Sequence, residues 1–518
     1  MKKLHSILIL TIIGLFYSCS EDILDIPNPN TPTSDTFWQT PDDALAGLNA
    51  AYHGFYNAGS WSSRFPYFRM IGGSDEATSN SPDLNLKHWC MFVYIDYNHS
   101  QNSNVWRAHY KSIFRTNQVL HYIDDIAFTD EDMKKDIIAQ TKFLRGFYYF
   151  YLAVLYENVP LILELRGAGD TPEQNTYAQV MAQVIKDLSE AAEDLPPTRS
   201  NREKGRATKG AALAYLGKAY MQLGEWQRAK DAFHWLVEGE GAVNYGLVDN
   251  YRDNFKHTTE NNIESVFEIQ FSDAIQRRPG DDAGSGVATE RAQFLGIKTI
   301  GWCDAQPRPW LIAEYKKETT ANGGLDTRLR DNLFYPELQT DFPGEKIYGQ
   351  DWSTAKWGTD CYFRKYQSDY YKNTEGNYNP INNRNMRYAD VLLCYAECLA
   401  QLSSGAPPAL AIECVNRVRQ RTSVNLLPLE SSIYADAVTT KEKFLERLQM
   451  ERALELCFEC VRWIDLKRWK LWDTPEGLAD LQARDADFNN FVVGKHDKLP
   501  IPQSEIDNNS NLTQNPNY

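Results

Sequence analysis

The 518-residue chain carries 54 Lys and Arg against 69 Asp and Glu, a formal net charge of −15. That sign argues against nucleic acid as a partner. A mean hydropathy of −0.52, with no long apolar run beyond the leader, argues against a membrane-spanning body. Aromatic residues are 13% of the chain, with 13 Trp and 29 Tyr. Too many of them lie in polar, loop-like sequence for all to be core. The length allows two or three domains or one elaborated domain.

Residues 1–18 read as a secretory signal: Lys2 and Lys3, then the apolar run from Ile7 to Tyr17, too short for a spanning helix. Phe16-Tyr17-Ser18-Cys19 reads as a lipoprotein cleavage site with Cys19 lipidated. Plain signal-peptide cleavage, leaving a soluble chain, is the alternative. Residues 19–34, with Pro27, Pro29 and Pro32, read as the lipidated Cys and a stiff tether.

A helical frame follows. Thr40-Pro41-Asp42-Asp43 is a helix start with a cap, a proline at the first position and acids in the first turn. Leu45, Leu48, Tyr52 and Phe55 are its apolar face, and Trp106, Tyr110, Ile113 and Leu120 repeat the pattern. Thr129 with Asp132 starts a third helix that must end by Val159-Pro160. Tyr177 to Leu195 makes a fourth, stopped by Pro196-Pro197.

Lys209 to Glu238 then matches one tetratricopeptide unit, with Leu216-Gly217, Tyr220, Ala229 and Phe233 at that motif's spacing. Gly217 lets the two helices approach, and Gly224 ends the first of them. Such a hairpin cannot bury both faces alone, so neighbouring pairs must stack on it. An ordinary helical hairpin is the alternative.

Ser265 to Phe271 alternates like a short strand. Near the C-terminus, Tyr388 to Leu402 and Leu410 to Val418 form further apolar faces. Thr439 with Glu442 reads as a capping box for a long helix carrying Leu454, Cys457, Phe458 and Val461 inward. Two stretches resist helical reading, Ala58 to Asn104 and roughly Tyr245 to Arg384. Long irregular loops inside a domain are usually functional. The fold expected is mainly α, with tetratricopeptide-like helix pairs as a scaffold and a loop-rich insertion carrying short strands.

Several motifs, in order, resemble the SusD/RagB family of surface glycan- or nutrient-binding lipoproteins of Bacteroidetes. They are Ser74-Asp75-Glu76, Phe143-Leu144-Arg145, Arg387-Tyr388-Ala389-Asp390-Val391-Leu392-Leu393 and Asn416-Arg417-Val418-Arg419. Glu451-Arg452, Asp465-Leu466-Lys467-Arg468-Trp469, Pro500-Ile501-Pro502 and Leu512-Thr513-Gln514-Asn515-Pro516 continue them. Cys457 and Cys460 depart from the family's usual Ala and Gly, and Asn517 from its Gly. Ser20-Glu21-Asp22 resembles the surface-export signal of Bacteroidetes lipoproteins.

The resemblance implies one SusD-like domain over 35–518. Its helical frame would be 35–57, 104–244 and 385–470, its ligand-binding loops 58–103 and 272–384, and its C-terminal tail 499–518. It also implies a protein anchored by lipid in the outer membrane. That protein would cap a SusC-like TonB-dependent transporter and deliver to it an oligosaccharide or, less often, a peptide. It implies neither catalysis nor a cofactor.

Sugars offer C–H faces to aromatic rings and hydroxyl rims to polar side chains. The candidates for a surface platform are therefore Trp89, Tyr94, Tyr97 and Asn98 from the first loop, and Trp302, Asp304, Trp352 and Trp357 from the insertion. For each ring, ordinary packing is the alternative. Asp75 could orient the site, accept sugar hydroxyls or cap a turn. Arg364-Lys365-Tyr366 reads as structural, and Trp106, Trp226, Trp463 and Trp469 as core.

No nucleophile elbow, His-rich metal motif or phosphate loop appears. Cys457-x-x-Cys460 and Cys394-x-x-x-Cys398 read as inert buried thiols rather than metal ligands. A Cys90–Cys303 or Cys303–Cys361 disulfide is compatible with an exported compartment. Two rival classes remain: a glycoside hydrolase, which needs paired carboxylates across a cleft, and a repeat scaffold for a protein or peptide. The aromatic-rich insertion argues against the scaffold.

Overall fold

A computed structural model describes residues 37–94, 97, 99–167, 169–274 and 286–518. The signal peptide, Cys19, the tether and Asn98 lie outside the described residues. Helix α1 (Pro41–Tyr52) starts as expected: Thr40 and Asp43 form a reciprocal capping box, with Pro41 in the first turn. The stretch read as irregular instead holds helix α2 (Arg64–Met70), strand β1 (Ala77–Ser79) and helix α3 (Leu84–Cys90). These elements are too short for a periodic pattern to register.

Helices α4 (Ser100–Tyr122), α5 (Glu131–Tyr156), α6 (Tyr177–Asp194), α7 (Lys209–Gln222) and α8 (Trp226–Val237) complete the first half of the frame. Asp130, not Thr129, caps α5, accepting from the amides of Asp132 and Met133. At the end of α7 the Glu225 amide donates to Tyr220 O and the Gly224 amide to Met221 O. Gly224 has φ +70°, so this is the Schellman stop. A Cβ on Gly217 would lie 2.5 Å from the Phe233 ring, which is why a glycine stands at that crossing.

The insertion holds strand β2 (Ser265–Ile269), helix α9 (Arg291–Leu295), strand β3 (Ala305–Pro307) and helix α10 (Trp310–Tyr315). Strand β4 (Asn383–Arg387) then pairs antiparallel with β2, Ser265 opposite Arg387 and Ile269 opposite Asn383. The chain returns to the frame through α11 (Tyr388–Leu402), α12 (Ala409–Arg419), α13 (Lys441–Glu455), α14 (Arg462–Arg468) and α15 (Pro475–Arg484). Thr440, not Thr439, caps α13, and the long helix expected there stops at Glu455. Phe458 and Cys460 both take φ +63°, a backbone that glycine adopts without cost, and the chain turns there into α14.

The helices stack in sequence: α1 on α4, α4 on α5, then α6, α7 and α8 in turn, with α11 on α8 and both α12 and α13 on α11. Each helix buries its apolar stripe against its neighbours, the arrangement of a short solenoid. Trp106 and Trp463 are core, whereas Trp226 and Trp469 are only half-buried.

Behind the insertion lies a buried ion network. Arg387 bridges Glu264, Glu455 and Glu459; Arg421 bridges Glu264 and Glu455. Arg328 joins Asp326, Glu451 and Glu455, and Arg419 joins Glu318 and Glu451. Lys365 reaches Glu459 at 2.8 Å. Glu264 also accepts the Val248 amide at 3.0 Å. Its burial would raise the carboxyl, but Arg421 and Arg387 outweigh that and bring it to about 2. Glu76 is the opposite case. Burial pushes it up to about 8 despite Arg462 nearby. One oxygen accepts the Phe458 amide at 3.2 Å and the other has no partner.

Two pH effects follow from these signs. Glu264, depressed in the fold, contributes stability in full above pH 4.5 that is lost as pH falls toward about 2, on the order of 3 kcal/mol. Denaturant melts at pH 5 and pH 3 should show that loss, with a shallower slope in Glu264→Gln. Glu76, raised in the fold, favours folding below pH 4.5 and progressively less toward pH 8. Glu76→Gln should therefore gain on the natural protein in thermal melts as pH rises from 5 to 8.5; equal pH slopes in the two would refute the assignment.

Candidate functional site: an exposed tryptophan shelf

Strands β1 and β3 pair antiparallel, Ala77 opposite Pro307 and Ser79 opposite Ala305. This two-stranded ribbon brings the two irregular segments together. Beyond it the Asn80 amide donates to Asp304 O at 2.8 Å, the Ser79 hydroxyl donates to the same oxygen at 3.0 Å, and the Asn80 side chain donates to Gln306 Oε1 at 2.5 Å.

Between α9 and β3 the chain makes a tight excursion, 296–304. Its neck is two glycines: a Cβ on Gly301 would lie 2.6 Å from Gly296 Cα. Thr299 has φ +74° and Cys303 φ +55°. For β-branched Thr299 that backbone is unfavourable and is held only by its surroundings. The Trp302 amide donates to Gln293 O at 2.7 Å and the Asp304 amide to Phe294 O at 2.8 Å, which clamps the turn back onto α9.

Trp302 sits at the apex, 40% exposed. Its ring packs on Phe294 at 5.1 Å, and the Arg64 guanidinium lies 4.8 Å from its centroid and 4.2 Å from that of Phe294. A cation against an indole face fixes the ring and draws electron density toward one side. The site is thus an aromatic shelf of Trp302 and Phe294 with the Arg64 guanidinium against both rings, leading through Asp304 into the ribbon that carries the paired side chains of Asn80 and Gln306. Such a pairing suits a polyhydroxylated ring, whose C–H face stacks and whose rim bonds.

Trp357 and Trp352 lie underneath rather than on the shelf. Trp357 is fully buried, and its Nε1–H donates to Lys298 O at 3.1 Å, which props the turn that carries Trp302. Trp352, half-buried, packs on Trp357 at 5.4 Å and donates to Gly358 O at 3.3 Å. The Asp304 side chain is buried too, and burial raises its carboxyl; its backbone carbonyl organises the ribbon.

The first-loop candidates take another role. Trp89 is buried and stacks on Tyr94 at 4.3 Å, and the Tyr94 hydroxyl meets that of Tyr518 at 2.5 Å. Tyr97, half-buried, sets its edge on Tyr518 at 5.5 Å. The C-terminal tail folds back over these rings, so Trp89 and Tyr94 are not a surface platform. Asp75 is buried between Arg462, at 2.7 Å, and Arg484, at 3.2 Å. Burial would raise its carboxyl, but the two guanidiniums hold it below the ordinary range. Its role in the fold is to anchor β1 to α14 and α15.

Arg64 and Phe294 belong to the shelf and were not among the sequence candidates. Nothing in Ser63-Arg64-Phe65 or Gln293-Phe294-Leu295 marks them, since their role depends on the ring between them. Another solvent-facing aromatic group, also unanticipated, is Tyr371, 40% exposed, with His257 at 4.4 Å and Tyr370 at 4.7 Å. Cys90, Cys303, Cys361, Cys394, Cys398, Cys414, Cys457 and Cys460 are free, buried thiols; neither the Cys90–Cys303 nor the Cys303–Cys361 pairing forms. Among the described residues no helix is long and apolar enough to cross a membrane, and no His, Cys, Asp and Glu cluster could hold a metal ion.

Comparison with known proteins gives matches over both halves of the chain. Residues 263–518 match the model of the SusD family, and residues 61–221 the model described as starch-binding associating with outer membrane. SusD-like protein P2 of Formosa agariphila is 27% identical, the alignment covering 99% of this chain and 98% of that protein. The crystal structure of a SusD superfamily protein from Bacteroides vulgatus is 26% identical with a TM-score of 0.80, over 93% of this chain and 100% of that one. A laminarin-binding SusD-like protein is 25% identical with a TM-score of 0.74, over 93% and 100%. With both models, a relative aligned over nearly its full length and the shared fold in agreement, this chain belongs to the SusD/RagB family.

Proposed function

We propose that this protein captures an oligosaccharide at the outer cell surface, anchored through lipid on Cys19, and hands it to a SusC-like TonB-dependent transporter. The observation that carries the binding step is Trp302: a large apolar ring, 40% exposed, carried on a strained, glycine-necked turn with Arg64 against it. A ring fixed on one side by Phe294 and Arg64 and open to solvent on the rest offers a ready stacking surface. A laminarin-binding structure of this fold among its relatives supports a glycan ligand. The acidic surface suits a neutral glycan, which ignores it, better than a polyanion. The reading is capture without hydrolysis. Asp304, the carboxylate nearest the shelf in sequence, is turned inward.

The test uses the soluble form beginning after Cys19, titrated calorimetrically and by Trp fluorescence against laminarin, starch, xylan, pectin and peptide panels. Trp302→Ala should weaken the bound glycan at least tenfold, about 1.4 kcal/mol, and leave the melting temperature nearly unchanged. Trp89→Ala should do the reverse, losing about 3–5 kcal/mol of stability with little direct effect on affinity. Reducing ends released during incubation would point to a hydrolase, and an unaltered Kd in Trp302→Ala would remove the shelf as the site.

A further inference from the structure

The arginines that hold the fold together are closed by carboxylates: Arg462 by Asp75, Arg308 by Asp485 and Asp487, Arg328 by Asp326, Glu451 and Glu455. Arg64, on the shelf, is not. Among the described residues it has no ion-pair or hydrogen-bond partner, and although it is half-buried, none of its nitrogens is sealed from solvent. Its position is fixed all the same. It opens α2, and its guanidinium is 4.2 Å from the Phe294 centroid and 4.8 Å from that of Trp302. The two rings are tilted 44° to each other with centroids 5.1 Å apart. They attract the cation but offer no lone pair. Five N–H donors in one rigid plane therefore remain for an acceptor from outside the chain.

The surroundings supply no such acceptor. The Trp302 indole N–H is itself a donor, and it too has no acceptor among the described residues. The Asn80 and Gln306 side chains bond to each other. Burial raises the Asp304 carboxyl more than Arg64 lowers it, and the two groups make no ion pair. The shelf is a stacking face edged with donors only. A hydroxyl brings a proton of its own with each oxygen it offers. A carboxylate or sulfate brings oxygens alone, and takes the paired N–H groups of a guanidinium in parallel.

Taking the shelf as the binding site proposed above, we infer that it selects a glycan bearing an acidic group, a carboxylate or a sulfate ester, on or beside the sugar that stacks on Trp302, and that Arg64 binds that group. The net charge of −15 weighs against a densely charged chain. One acidic group among neutral sugars is a different case. Distant carboxylates are screened beyond about 8 Å at physiological salt, while Arg64 acts at contact.

The test is calorimetric titration of the soluble form, Arg64→Gln, Arg64→Lys and Trp302→Ala with matched oligosaccharides on xylan, galactan and β-glucan backbones. One member of each pair carries a single uronate or sulfate ester; its partner is carboxyl-reduced or desulfated. At least one acidic member should bind roughly tenfold tighter than its neutral partner, and weaken as salt rises. Arg64→Gln should erase that preference while leaving the neutral partner's affinity and the Trp302 emission nearly unchanged; Arg64→Lys should keep part of it. Which acidic member responds separates carboxylate from sulfate. Equal affinities within every pair, a preference that survives Arg64→Gln, or no acidic member bound at all overturns the selectivity. Affinities equal within pairs that still fall in Trp302→Ala would overturn it and leave the shelf standing. Affinities untouched by Trp302→Ala would remove the shelf, and with it this role for Arg64. A thermal melt of each variant checks the fold.

Discussion

The structure depends on charges that never reach water. Arg387, Arg421, Arg328 and Arg419 are buried between the insertion and α13, each shared among carboxylates such as Glu264, Glu451 and Glu455. Taking such groups out of water is costly, and the cost is offset only while every member keeps its partners. Removing one leaves an uncompensated charge in a dry interior. The network therefore makes the attachment of the loop-rich half to the helical stack all-or-none. An apolar interface of the same area would tolerate sliding; bidentate guanidinium pairs set one register.

That constraint explains the character of the most recognisable sequence motifs. Arg387 and Asp390, Arg419, Glu451 and Arg452, and Asp465 with Arg468 are all paired and buried. None of them faces the shelf. A rigid joint at the base frees the rim to vary: a loop end can change its aromatic or polar groups without disturbing how the two halves fit. Trp357 continues the same logic outward. Buried, and bonded to Lys298 O, it supports the strained turn from below, so that Trp302 can stay in water without the loop collapsing onto the core.

Particular residues show where reading the chain succeeds and where it stops. Thr40 with Asp43, Gly217 against Phe233 and Gly224 at φ +70° act within one helix or one helix pair, and local chemistry is visible in local sequence. The cap of α5 and that of α13 each lie one residue from the expected position, because adjacent polar residues compete for the same amides. The break after Glu455 was missed because Phe458 and Cys460 adopt a backbone that their side chains do not advertise.

The candidate binding surface is legible in the sequence only as a region. Both loops were picked out by composition, and Trp302 among their rings does face solvent. Trp89, Tyr94 and Trp357 carry the same local signature, yet the C-terminal tail and the turn above Lys298 bury them. Periodicity, caps and motif order are properties of neighbouring residues, so the helix pairs and the family resemblance can be read along the chain. Which aromatic rings meet water, and that Arg64 stands against Trp302, follows from packing alone. Exposure is the outcome of contacts between segments hundreds of positions apart.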